Sequence, residues 1–232
     1  MLLASSVRRR LSVVMIAAAL AVPTLVAAQN RFEITPWIGS YFTLVDFYND
    51  DFDLANIGGT GTTPIIVSQE NTAMFGIRAS VPIGATLAAE GSFGFAQSNV
   101  RFIIKDAIVD VNGDPIFDAL TTGKSNVIIG SLRAVIKPRR SNLSLILGGI
   151  IVNHGGDFWD DPTIDGKLTS FGGVLGIGLR ANVTPRFPIA IRAEGNFYSF
   201  NPDKGDDASA GFYPGKLQSD LVFSVGIPLG GR

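Results

Sequence analysis

The stretch that decides the fold runs from Ser170 to Phe200 and reads SFGGVLGIGLRANVTPRFPIAIRAEGNFYSF. Apolar residues or small ones occupy every second position from Phe171 to Val183, and polar residues, glycines and one valine lie between them. The alternation resumes after a break at Thr184-Pro185-Arg186. A period of two is typical of β-strands, and two long strands joined so closely form an antiparallel hairpin.

The polar side of this hairpin indicates which class of β protein it belongs to. Arg180, Arg192 and Glu194 fall opposite a side that carries no charge. Strands of about 10 residues with this pattern are typical of a transmembrane barrel, in which apolar side chains face lipid and polar ones face the lumen. A soluble sandwich or a lipocalin turns its apolar side inward. A periplasmic lipid-binding barrel is therefore the alternative that would reverse both faces.

Residues 1–28 have the features of a secretory signal peptide. A basic cluster at Arg8 to Arg10 precedes an apolar run, and the small residues Val26-Ala27-Ala28 end it. We expect cleavage after Ala28, which leaves 29–232 as one domain. An N-terminal membrane anchor is the competing interpretation, and Pro23 argues against it. The chain has no cysteine, which excludes disulfides, thiolate metal sites and a cysteine nucleophile.

Eight segments share the strand pattern, and their connections alternate between long and short. The segments are 32–44, 73–81, 86–97, 126–136, 142–152, the two strands of the 170–200 hairpin, and 217–229. The long connections are roughly 45–72, 98–125, 153–168 and 200–215. This rhythm is typical of an even-stranded outer-membrane barrel with long external loops and short periplasmic turns. The sequence therefore predicts an all-β, eight-stranded, antiparallel up-and-down transmembrane β-barrel.

The opening FEITPWIGSYF at 32–42, the eight alternating segments and the ending DLVFSVGIPL at 220–229 resemble the small eight-stranded outer-membrane β-barrel proteins. That group includes OmpA-like and OmpX-like transmembrane domains. The resemblance implies a location in the cell outer membrane, contact with its lipid and insertion by the barrel-assembly machinery. We also expect a monomer. This chain departs from the group in one respect, because it ends Leu229-Gly230-Gly231-Arg232 rather than on an aromatic residue.

The expected inward sides of the strands carry four charges of each sign. These residues are Glu33, Arg78, Glu90, Arg133, Arg180, Arg192, Glu194 and Asp220. Buried charges need partners, and an eight-stranded barrel is only wide enough to be filled by its own side chains. We therefore expect an interior ion-pair network rather than a pore. The turn at Pro82 should bring Arg78 close to Glu90.

The other sixteen of the twenty acidic residues lie in the four long connections. The opposite end carries basic residues only, namely Arg31, Lys137, Arg139, Arg140, Arg186 and Arg232. Solvated acidic loops explain this asymmetry. Divalent-cation binding is the second interpretation, because hard cations take several carboxylate and carbonyl oxygens. Its candidate residues are Asp110, Asn112, Asp114, Asp157, Asp160 and Asp161. No other cofactor is expected.

Three functions fit such a barrel. The first is a structural or surface-interaction role through the acidic external loops, and the second is a narrow channel for small or hydrophobic solutes. The third is a lipid A-modifying enzyme, for which the only histidine, His154, and the hydroxyls of Ser170 and Ser199 are the candidate groups. Nucleic-acid binding has no support, since loss of Arg8 to Arg10 takes the formal net charge from -1 to -4 (-1 minus 3).

Overall fold

The computed structural model describes residues 32–53, 62–104, 120–139, 141–160, 168–184, 187–200 and 217–230. These residues form the strands β1 (Glu33–Thr43), β2 (Tyr48–Asp53), β3 (Thr62–Gln69), β4 (Thr72–Pro82), β5 (Leu87–Ile104), β6 (Leu120–Ile136), β7 (Leu143–Gly155), β8 (Thr169–Thr184), β9 (Phe187–Ser199), β10 (Leu217–Gly226) and β11 (Leu229–Gly230). Within the described ranges, no helix is long and apolar enough to cross a membrane. The proposed signal peptide lies outside these ranges.

Eight of the strands close into a ring. β1 pairs with β4, each strand from β4 to β9 pairs with its successor, and β10 returns to β1. All of these pairings are antiparallel. The three short connections, 83–86, 137–142 and 185–186, lie at one end of the ring and the long ones at the other. The predicted eight-stranded, antiparallel up-and-down barrel is confirmed.

The two faces of the barrel differ in the way that the alternation predicts. Outward side chains are apolar and exposed, and they include Ile38, Phe75, Leu132, Phe171, Leu175, Ile177 and Phe223. Leu132, in the middle of β6, leaves 78% of its surface exposed. Inward side chains such as Arg78 and Glu194 are buried. An exposed apolar band around a charged interior suits lipid, and it excludes the reversed arrangement of a periplasmic lipid-binding barrel.

On one side of the ring, the strands continue beyond the barrel. β3 and β4 act as one long strand, since both pair with β5. Gln69 pairs with Val100 and Met74 with Ala96, so five residue steps on one strand face four on the other. This extra residue is a β-bulge at Glu70 and Asn71. β5 and β6 remain paired as far as Ile103 and Leu120.

This extended wall is longer than the sequence predicted. The segment 86–97 ends too early, the segment 126–136 begins too late, and the first long connection contains the hairpin β2–β3. The reason is burial, because the inward side chains of Ile65, Val67, Val100 and Ile104 continue the barrel interior as an apolar core. The expected strand 217–229 is interrupted after Gly226, where Pro228 cannot donate a ladder hydrogen bond.

Candidate functional site: the filled barrel interior

Five charged side chains meet in the middle of the lumen, and we call them the central charge cluster: Arg78, Glu90, Arg133, Arg192 and Glu194. Arg192 donates two hydrogen bonds to Glu90, Nη1 to Oε1 at 2.5 Å and Nη2 to Oε2 at 2.7 Å. Arg133 donates from Nη1 to Oε1 of Glu194 at 2.5 Å. Contacts of 3.6 Å between Arg192 and Glu194 and 3.8 Å between Arg133 and Glu90 join the two pairs.

The register of the strands brings these groups together. Glu90 on β5 lies directly opposite Arg133 on β6. Arg192 and Glu194 occupy successive inward positions on β9, which faces the β5–β6 pair from across the lumen. The cluster therefore ties opposite walls of the barrel. Its side chains are at most 10% exposed, a depth at which an unpaired charge would be strongly destabilising.

Arg78 is the third guanidinium of the cluster and has partners of three kinds. Its Nη2 lies 3.4 Å from Oε2 of Glu194 and donates to the Ser224 hydroxyl at 2.7 Å. Its guanidinium carbon also lies 4.5 Å from the ring centre of Trp37, within cation–π range. The direct ion pair is thus with Glu194, and Glu90, which the sequence places close to Arg78, is an electrostatic neighbour without a direct ion pair to it. Three arginines against two glutamates leave the cluster one positive charge in excess.

The Trp37 ring has room inside the barrel because the neighbouring inward positions are glycines. A Cβ atom on Gly76 would lie 2.6 Å from Cζ2 of Trp37, and one on Gly94 would lie 3.0 Å from it. The first distance is shorter than real Cβ contacts, and the second is tighter than most of them. The glycines at these two positions are therefore part of how the interior is filled.

The other three residues predicted for the network lie elsewhere. Arg180 and Glu33 form a separate pair at 2.7 Å near the short-turn end. The Arg180 side chain is 39% exposed, so solvent screens this pair. Asp220 is fully buried but makes no ion pair within the described residues. It is paired along the ladder with Asn196, one inward position beyond Glu194, which puts it roughly 7 Å above the cluster.

Asp220 instead lies among buried neutral groups. The phenols of Tyr41 and Tyr198 are its electrostatic neighbours, although neither the Tyr41 hydroxyl nor the Asp220 carboxylate reaches hydrogen-bonding geometry. Gln218 precedes Asp220 by one inward position on β10, lies farther from the central charge cluster, and is also completely buried. This level separates the central charge cluster from the end of the lumen where the long connections begin.

Aromatic rings close the end of the lumen where the long connections begin, and we call Phe47, His154, Trp159 and Phe200 the aromatic cap. The ring centres of Phe200 and His154 are 4.2 Å apart. Phe47 packs against His154, Trp159 and Phe200 at 5.3 to 5.5 Å. Every member is at most 4% exposed. Edge-to-face and tilted packing at these distances stabilises aromatic clusters.

The cap draws its residues from three different connections. Phe47 lies between β1 and β2, and Phe200 directly follows β9. Trp159 lies in the turn after β7, where its backbone N–H donates to the carbonyl of Gly156 at 2.9 Å. Its indole N–H donates to the Ser125 hydroxyl at 2.9 Å, which anchors this turn to β6. The described parts of these connections are therefore packed onto the barrel by the same residues that close the lumen.

His154, the candidate base for lipid chemistry, is a member of this cap. It is 1% exposed, and its nearest polar contact is the Tyr198 hydroxyl, 3.5 Å from Nε2. Ser170 is buried on the inward face of β8, whereas Ser199 points outward. The aromatic rings shield the imidazole from lipid. The described residues bring no serine and carboxylate to His154 in a hydrolytic arrangement.

The candidate cation residues are only partly described. Asp157 and Asp160 are exposed in the turn after β7. Asp110, Asn112, Asp114 and Asp161 lie outside the described residues. Among the residues that are described, no group of three or more acidic, histidine or cysteine side chains is close enough to hold a metal ion.

A closed ring of eight strands, an exposed apolar band and a charged interior together define the molecule's class. The fold is that of a small outer-membrane β-barrel. No protein-family model matches the chain, and no curated protein matches it.

Solved structures with a similar fold are outer-membrane proteins. The chain is similar to the outer membrane protein OprG from Pseudomonas aeruginosa, with 12% identity, a TM-score of 0.48 and coverage of 87% of this chain and 95% of that one. It is also similar to Ail, the attachment invasion locus protein of Yersinia pestis, solved in complex with the heparin analogue sucrose octasulfate. That match has 14% identity, a TM-score of 0.39 and coverage of 87% and 99%.

The central charge cluster leads to a prediction about stability. Glu194→Gln keeps the side-chain shape but removes the charge that Arg78 and Arg133 share. We expect the free energy of unfolding to fall by about 3–5 kcal/mol, because buried guanidinium groups lose their counter-charge. Reversible denaturant unfolding of the protein refolded in lipid vesicles measures this change.

Glu33→Gln is the matched control, since it breaks the pair with the partly exposed Arg180. Its expected cost is about 0–1 kcal/mol. Equal losses for the two variants would contradict the special role of the central charge cluster.

Proposed function

We propose that this outer-membrane β-barrel is a plugged, non-conducting protein that acts at the cell surface through its external segments. The observation that carries the proposal is the central charge cluster, whose ion pairs cross the lumen from β9 to the strands opposite. Ions or solutes would have to break these pairs to pass. The aromatic cap is a second obstacle on the same path.

The extended wall supports a role at the surface. β3, β5 and β6 continue beyond the closed ring, and β2 adds a further strand there. A barrel whose role is confined to the membrane does not require strands that extend beyond the closed ring. The acidic residues of the four long connections give the external face a negative character. An external partner would therefore meet a rigid β-sheet bordered by acidic segments.

The sequence and the apolar outer face support a route of export and membrane insertion for the chain. It is exported with a cleavable signal peptide, inserted by the barrel-assembly machinery and surrounded by outer-membrane lipid as a monomer. The apolar band supports the last point, since exposed side chains such as Ile38, Leu132 and Phe171 lie on different sides of the ring. The channel and enzyme alternatives gain no comparable support. The lumen is filled, and His154 is enclosed by rings.

Planar-bilayer recording tests the plug. We expect the purified, refolded full-length protein to produce no steady unitary current, because the central charge cluster and the aromatic cap block the lumen in series. A heat-dependent shift in gel mobility of the same preparation shows that the barrel is folded. Steady unitary steps from such a preparation would rule out the plugged interior and favour the narrow channel.

Cysteine labelling tests the orientation of the barrel in the membrane. The sequence has no cysteine, so an introduced thiol is the only one that can react. Thr122→Cys places a thiol at an exposed position on the extended wall, and Lys137→Cys places one at an exposed position in a short turn. In intact cells, we expect a membrane-impermeant maleimide to label the first variant and to label the second only after the outer membrane is permeabilised. The opposite pattern would invert the proposed topology.

A further inference from the structure

An open polar cavity of about 470 Å³ lies on the outer surface of the barrel, at the β-bulge between β3 and β4. We call it the bulge pocket. The residues that matter for its chemistry are Glu70, Asn71, Thr72, Gln97, Asn99 and Lys124. None of these six belongs to the central charge cluster or to the aromatic cap, although Ser125, which accepts from Trp159 of the cap, also lines the pocket.

The side-chain oxygens of Glu70 and Asn71 in the bulge pocket already accept hydrogen bonds. Glu70 accepts from Arg101 Nη2 through Oε1 at 2.7 Å and from Asn99 Nδ2 through Oε2 at 3.0 Å. These hydrogen bonds hold the pKa of Glu70 below its usual value, so the carboxylate stays ionised and engaged. The side-chain oxygen of Asn71 accepts from the backbone N–H of Thr43 at 3.3 Å.

The remaining groups include an ammonium and two side-chain amides. The Thr72 hydroxyl donates a hydrogen bond to the backbone carbonyl of Gln97 at 2.6 Å. Within the described residues, however, the Lys124 ammonium and the side-chain N–H groups of Asn71 and Gln97 have no hydrogen-bond or ion-pair partner. Glu70 and Arg101 cancel each other's charge, so Lys124 leaves the pocket with one positive charge. An ammonium and two amide donors around a cavity suit an anion rich in oxygen.

The position of the pocket indicates where such an anion comes from. Phe95 and Gln97 face outward on the same strand, two residues or roughly 7 Å apart. The Phe95 ring packs against Phe75 at 5.4 Å, and Phe75 is 57% exposed in the apolar band. The donors therefore lie directly above side chains that contact lipid chains. That is the depth of lipid headgroups, where aromatic residues border the apolar region.

We infer that the bulge pocket binds the phosphate-bearing headgroup of a membrane lipid whose acyl chains lie along Phe75 and Phe95. Lys124 supplies the charge, Asn71 and Gln97 donate to the phosphate oxygens, and the paired Glu70 holds the bulge in shape. The assignment of this lipid to the outer leaflet rests on the proposed function, through the orientation proposed above. Binding of the phosphate headgroup in the pocket does not depend on that orientation. Cysteine labelling can therefore contradict the orientation without contradicting the pocket, and the binding experiment can contradict the pocket without contradicting the orientation.

The test is a binding titration of the refolded full-length protein in a non-ionic maltoside detergent. Native mass spectrometry measures the fraction of protein with bound probe. The probes are dioleoyl phosphatidic acid, dioleoylglycerol as the same lipid without phosphate, and inorganic phosphate. We expect the wild type to bind phosphatidic acid more tightly than either of the others. Lys124→Gln should weaken that binding by roughly tenfold, as expected for one charge-assisted contact. Gln97→Leu should weaken it by a smaller factor.

Lys137→Gln is the matched control, since it removes the same charge at an exposed site in a short turn at the other end. It should leave the affinity unchanged. Equal affinity in wild type and Lys124→Gln, or equal losses in the two lysine variants, would overturn the pocket assignment. Inorganic phosphate bound as tightly as phosphatidic acid would overturn the lipid assignment. A heat-dependent gel shift in each variant verifies folding.

Discussion

The structure depends on the pairing of charges inside a lumen that is too narrow to hydrate them. Glu90 and Glu194 each contact two or more of the three central arginines, and these contacts reach across the barrel. Because an eight-stranded ring encloses only enough space for its own side chains, each of these charges must have an opposite charge in contact with it. The outer face can then be apolar throughout, and the closed ring leaves no unpaired edge in lipid.

Alternation along each strand is the part of this arrangement that the sequence predicts well. The period of two identifies Arg78, Glu90, Arg133, Arg192 and Glu194 as inward residues, since only one face of each strand can be in contact with lipid. The same parity on β9 extends from Tyr198 to Phe200 and could have identified the latter as a cap residue. Likewise, the alternation of Thr63, Ile65 and Val67 is a strand signal within the segment 45–72, which the connection pattern assigns to a long loop.

Other features depend on information that no single strand contains. The choice of Glu194 over Glu90 as the partner of Arg78 is set by the stagger between strands on opposite walls. Asp220 is separated from the arginines because the register of the neighbouring strands β9 and β10 puts it one inward position beyond Glu194. Phe47 and Trp159 lie in connections without a period, so only the folded chain brings them to His154.

The most direct test of this interior is a double-mutant cycle between Arg133 and Glu194, using Arg133→Gln, Glu194→Gln and the combined variant. Unfolding from lipid vesicles gives the coupling free energy, free of each residue's other contacts. We predict a coupling of at least about 1.5 kcal/mol, as expected for a buried pair in direct contact. A coupling below about 0.5 kcal/mol would mean that the two residues act independently, and the barrel would not be held together by charges paired across its lumen.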